Sequence, residues 1–202
     1  MNLLDKLINN IKFDKKYVLF SIIIVISGII TGSLFIVILN NTDKNIIIEY
    51  ISSFIKNINT MNILKNTFIT NYICIFILII IGYSCFLFPI NILILFYKAF
   101  IIGFTISSFI LTYKTNGILL AIVYIIPHLI INILIFALIT AFTLRLSLNM
   151  IKCIIKRKNV NIRGYFNKYL SLILLSLLII TLTSLYESYL MPYLLNLVIK
   201  IL

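Results

Sequence analysis

The chain has 202 residues, of which 62% are hydrophobic and 11% charged, with a mean hydropathy of +1.18 and a formal net charge of +12. Soluble domains carry about a quarter of their residues as charged side chains, so this balance excludes a soluble globular fold. It points to an all-α polytopic helical bundle with the lipid bilayer as its solvent, since only helices and closed barrels satisfy their backbone polar groups there.

Residues 1–16 carry Lys6, Lys12, Lys15 and Lys16, and precede a first predicted span over 17–39. That span is too long for the apolar core of a signal peptide and no small-x-small cleavage site follows, so it is expected to stay attached as a signal anchor. Its GIITG stretch places Gly28 and Gly32 at the small-xxx-small spacing that lets helix backbones approach closely. Packing within the chain and a homodimer seam both fit, which leaves a homo-oligomer open. Residues 40–71 form the only sizeable outer segment. Its apolar residues Ile47, Ile51, Phe54, Ile58, Met61, Leu64 and Phe68 recur in steps of three or four, predicting an amphipathic helix on the outer leaflet or docked on the bundle. It serves either as a packed connector or as a surface for an extracytoplasmic partner.

The second span is predicted over 72–88 and the third over 91–112, with Pro89 at a joint tight enough to leave a re-entrant pair open. Gly82 and Gly103 lie within them as further close-packing positions. Lys98 falls about 12 Å from the inner boundary, counting about 1.5 Å per residue from Pro89, within reach of snorkelling. The fourth span, 118–144, contains Pro127 followed by His128: a helix kink beside an ionisable residue at membrane depth. The fifth runs over 169–185, with Glu187 and Pro192 ending its regular part and 188–202 placed outside the cell. By the same rise per residue Glu187 falls near the outer face, level with Lys114 and not with Lys98.

Between the fourth and fifth spans, residues 145–168 hold seven Lys or Arg and no acid. Positive loops stay in the cytoplasm, which puts the N-terminus inside and the C-terminus outside. Eleven basic residues then fall on cytoplasmic segments and five (Lys44, Lys56, Lys65, Lys114, Lys200) on outer ones. The loop also offers a cytoplasmic docking or lipid-binding site. Tyr17, Tyr72, Tyr113, Tyr169, Tyr186 and Tyr189 lie near span ends, and with no Trp in the chain Tyr is expected to form the interfacial belt.

Reactive groups are few and scattered: one His, five acids and three Cys. Cys74, Cys85 and Cys153 fall at different depths, so neither a disulfide nor a thiolate metal site is drawn from them. There is no CxxC, no HExxH and no Gly-rich nucleophile elbow. The expectation is a protein that is not an enzyme, with no metal and no cofactor. Nucleic acid is not an expected partner either, because the positive charge sits beside the bilayer without aromatic interleaving.

Taken in order, SGIITGSLF, TNYICIFILIIIGY, YKAFIIGF, YIIPH and LYESYLMP resemble the stage II sporulation protein M family of integral membrane proteins, over nearly the whole length. Two positions depart from that pattern: Ala99 stands where Gly is common, and Asn132 follows the Pro-His pair where an acid is found. The resemblance implies a non-catalytic membrane scaffold at the sporulation septum. It would hold two peptidoglycan hydrolases, the stage II sporulation proteins D and P, while the mother cell engulfs the forespore. A small transporter or channel subunit is the competing expectation, since Pro-broken helices build pathways; against it, only Pro127 and His128 supply a midplane site and no repeat relates the halves.

Overall fold

The structure is a computed structural model that describes residues 14–56, 60–82, 87–125, 129–156 and 162–201. Among the described residues it is all-α, with seven helices: α1 (Lys15–Ile38), α2 (Asn41–Lys56), α3 (Thr60–Gly82), α4 (Phe88–Tyr113), α5 (Thr115–Ile125), α6 (Leu129–Lys156) and α7 (Ile162–Ile201). Four of them, α1, α4, α6 and α7, are long and apolar enough to cross a membrane. The polar side chains within these helices are largely self-contained. Ser21, Ser108 and Thr140, for example, donate to the carbonyl oxygens of Tyr17, Phe104 and Phe136 one turn earlier, which removes bare hydroxyls from an apolar surrounding.

Burial is arranged as lipid solvent requires. On α1 the buried stripe is Ser21, Ile24, Gly28, Gly32 and Ile36, whereas Leu19, Ile22, Ile23, Ile26, Ile30 and Leu34 face outward. Small residues point inward and large apolar ones outward because lipid tails are as apolar as leucine, so close backbone packing, not hydrophobic burial, holds such helices together. α6 is the central element, with 67% of its most apolar window buried against 28% for α1.

Pairwise contacts fix relative directions. Gly28 meets Ala99 and Phe96, and Gly32 meets Phe100 and Phe104, so contacts advance together and α1 runs parallel to α4. α6 runs antiparallel to α4, since Asn91 Nδ2 donates to Thr143 at 2.7 Å while Lys98 lies over the ring of Phe136. α3 is likewise antiparallel to α4: Asn71 lies beside Lys98, while Leu78, about two turns on, meets Tyr169, which stacks on Phe142 next to the Thr143 that Asn91 contacts. Arg145 Nε, within α6 and about three turns before its last residue, pairs with Asp14 at 3.0 Å, tying the start of α1 to α6. At the end of α4 Lys114 turns the chain from α4 into α5 with φ 52 and ψ −127, and its N–H donates to Ile110. Gly117 completes that turn, because a Cβ there would run into the carbonyl of Phe109.

Several boundaries differ from those expected. Tyr72 marks no break: α3 begins at Thr60, since nothing in the polar residues 60–71 stops a helix, and the outer segment is divided between α2 and the start of α3. Pro89 sits in the first turn of α4, where its missing N–H costs nothing. The expected fourth span comprises two helices, α5 and α6, with Pro127 and His128 outside the described residues. α7 does not end at Pro192. It continues through it for a total of 40 residues, about 60 Å of helix and more than one bilayer crossing, so 188–202 is no separate segment. Pro192 is buried, and packed neighbours hold the helix together where the proline removes a bond. Tyr169 belongs to no belt: it is buried, stacked on Phe142 at 6.1 Å, and its hydroxyl donates to the Leu78 carbonyl at 2.6 Å. Because α7 starts at Ile162, Tyr169 lies two turns inside the helix.

Candidate functional site, a polar cavity among five helices

Between α3, α4, α5, α6 and α7 lies a half-open cavity of about 230 Å³. α3 contributes Asn66, Thr70 and Asn71, while α4 contributes Lys98 with Ile101 and Ile102. Tyr124 enters from α5, Asn132 and Phe136 from α6, and Glu187 from α7. Ionisable side chains are costly to hold within apolar helices, so the meeting of Lys98 and the buried Glu187 around one hollow marks it as the candidate site.

The network around the cavity is preorganised. Lys98 Nζ donates to Asn71 Oδ1 at 3.0 Å and stands 5.4 Å from the centroid of the Phe136 ring. Among the described residues the groups in contact with that ammonium are therefore neutral. On the facing side the Thr183 hydroxyl donates to Asn132 Oδ1 at 2.7 Å, tying α7 to α6. Glu187 is buried beside them. Tyr124 is shared with a second, mainly apolar cavity of about 320 Å³ between α2 and α4, where Phe54 meets it edge-on at 6.3 Å. The polar site is thus walled on its α2 side by aromatic rings.

Lys98 and Glu187, separated in the depth count, line this one cavity. Lys114 instead occupies the α4–α5 turn. Gly28, Gly32 and Gly103 come together in the α1–α4 seam: a Cβ on Gly28 would stand 2.7 Å from Ala99 Cβ, and one on Gly103 would strike the Ile29 carbonyl. The seam partner is α4 of the same chain. Ala99, set aside at first as a departure, is fully buried at that contact and small enough to keep it. Gly82 is the last residue of α3. Asn132, also set aside, is a cavity residue, and Asn66, Asn71 and Tyr124 were missed; their signal was a polar side chain within otherwise apolar helices. Among the described residues no three His, Cys, Asp or Glu gather to hold a metal ion.

What this architecture is for is indicated by its kinship. From residue 18 to residue 192 the sequence matches the family model described as Stage II sporulation protein M. The chain belongs to the stage II sporulation protein M family. No curated protein and no solved structure matches it. Membership identifies a sporulation-related membrane protein. The matched region runs from α1 to Pro192 and so takes in the seam, the cavity and all seven helices up to the last turns of α7.

Proposed function

We propose that the protein is a non-catalytic scaffold that holds peptidoglycan-degrading partners at the sporulation septum during engulfment of the forespore. The observation that carries this reading is family membership across residues 18–192. The helices agree with it: chain mass is concentrated in the bundle, and α2 presents exposed Ile46 and Tyr50 beside Glu49 at the Lys114 end. In this reading residues 1–16 and 145–168 face the cytoplasm, and α2 with the far end of α7 faces the septal space. The partners are the stage II sporulation proteins D and P. They would dock on that outer face, where Tyr189 and Tyr193 are also exposed.

The test is affinity capture from crosslinked membranes of sporulating cells, followed by mass spectrometry. Recovery of the two hydrolases, reduced when Ile46 and Tyr50 are replaced by Ser, supports the scaffold. Their absence after crosslinking sinks it. The polar cavity favours one second reading, a small transporter or channel subunit. Solute flux in proteoliposomes that is lost in Lys98→Met would establish that reading instead.

A further inference from the structure

Behind α2 lies the second hollow, about 320 Å³ of half-open space walled by Ile47, Ile51 and Phe54 of α2, by Phe104 and Phe109 of α4 and by Tyr124 of α5. Its two α4 hydroxyls add little polarity, since Thr105 donates to the Ile101 carbonyl and Ser108 to the Phe104 carbonyl, each at 2.7 Å. Such a wall favours hydrocarbon over water: a buried water needs about two to four polar partners, and packed interiors rarely leave space this large unfilled. Depth and surroundings say which hydrocarbon is at hand. Phe104 and Phe109 precede the end of α4 at Tyr113 by nine and four residues, which sets them about 14 and 6 Å inside a helix long and apolar enough to cross a membrane. Ile46 and Tyr50 line the hollow and are also exposed, so they stand at its opening. On the α1 side the ring of Phe35 stands 6.3 Å from that of Phe104, and Phe35 belongs with Leu34 and Ile38 to the outward apolar face of α1. The hollow thus continues the surface that the bundle turns to lipid.

We propose that an acyl chain of a bilayer phospholipid lies in this hollow, between the inner face of α2 and the last third of α4, and passes out beside Ile46 and Tyr50 into the surrounding lipid. None of the described residues that line the hollow is charged, so recognition falls on the chain and not on the head group. Lipid in this hollow does not depend on the scaffold reading: it is measured on the purified protein with no partner present, so either reading can fail while the other stands.

The experiment uses the full chain, purified in detergent and stripped of loosely held lipid. It is incubated with phosphatidylglycerol or phosphatidylethanolamine of identical chains, one chain bearing a photoactivatable diazirine, and retained lipid is measured by native mass spectrometry. Soluble glycerophosphoglycerol, a head group without chains, is the control. Both lipids should be retained to a similar degree and the control not at all. After illumination, adducts should gather on residues 46–54 and 104–109 in preference to the outward face of α1 at 19–34. Filling the hollow from either wall, with Ile47→Trp or Thr105→Phe, should lower retention on the order of tenfold, the equivalent of about two buried methylenes lost from contact. Retention of the control, adducts spread evenly over the outward faces, or retention that survives both fillings overturns the proposal. A crosslink from 46–54 to a second copy of the chain in place of lipid also overturns it. Should the filled variants fail to accumulate, the adduct map of the unaltered protein decides alone.

Discussion

At the scale of single residues, the tightest constraints are backbone approaches. Gly103 of α4 faces the carbonyl, carbonyl carbon and Cα of Ile29, all of them backbone atoms that no rotamer change can move aside. Adding a methyl group forces α1 and α4 apart, which costs on the order of 1–3 kcal/mol by overpacking, against about 1 kcal/mol gained from better helix propensity. Gly103→Ala should therefore lower the melting temperature of the purified protein, whereas an unchanged melting curve would show that the seam has slack. The opposite sign is expected at Lys114. Its φ of 52 with ψ −127 lies where a side chain is strained by about 1–3 kcal/mol and glycine is not. Glycine also costs more entropy on folding, roughly 0.4–1 kcal/mol. Lys114→Gly should accordingly stabilise the chain by about 1 kcal/mol, seen as a higher melting temperature.

At the scale of elements, the helices are held by a few long-range polar ties set among apolar contacts. Tyr169 is one: it joins α7 to α3 through Leu78 and stacks on α6 through Phe142. Tyr169→Phe keeps the stacking and removes only the hydroxyl, so about 1 kcal/mol should be lost and limited proteolysis of α7 should quicken. Tyr169→Ala, which also removes the ring, should cost several times more. These elements also show what the sequence could and could not yield. The apolar runs located α1 and α4 to within a few residues because lipid-facing helices repeat one signal along their length. Gly28 and Gly32 were legible as a close-packing seam because only small residues allow it. Tyr72, the expected start of a span, and Pro192, the expected end of a regular helix, both lie inside longer helices, since polarity and proline mark helix ends in water but not within a packed bundle. The cavity was hidden because Asn71, Lys98, Asn132 and Glu187 lie far apart in sequence, and only the antiparallel registers of α3, α4, α6 and α7 bring them together.

At the scale of the whole molecule, charge is distributed by end. The end of the bundle where Asp14 meets Arg145 leads into the basic run 145–168, with seven Lys or Arg and no acid, while the Lys114 end carries Asp43 and Glu49 on α2. Moving such a run across a bilayer is opposed at every step of insertion, so the run itself should choose which end stays in the cytoplasm. The Asp14–Arg145 pair is partly exposed and of little consequence for stability, so a change in orientation cannot be ascribed to its loss. Replacing Lys152, Lys156, Arg157 and Lys158 by Glu turns the run's charge from +7 to −1. A reporter fused after Leu202, expected outside in the unaltered protein, should then be found on the cytoplasmic side. Reporter signal that remains outside in the reversed chain would mean that α1, with Lys6, Lys12, Lys15 and Lys16 before it, sets the orientation alone. Restoring the original sign with Arg at the same four positions should return the reporter to the outside, which separates an effect of charge from one of local structure at the α6–α7 junction.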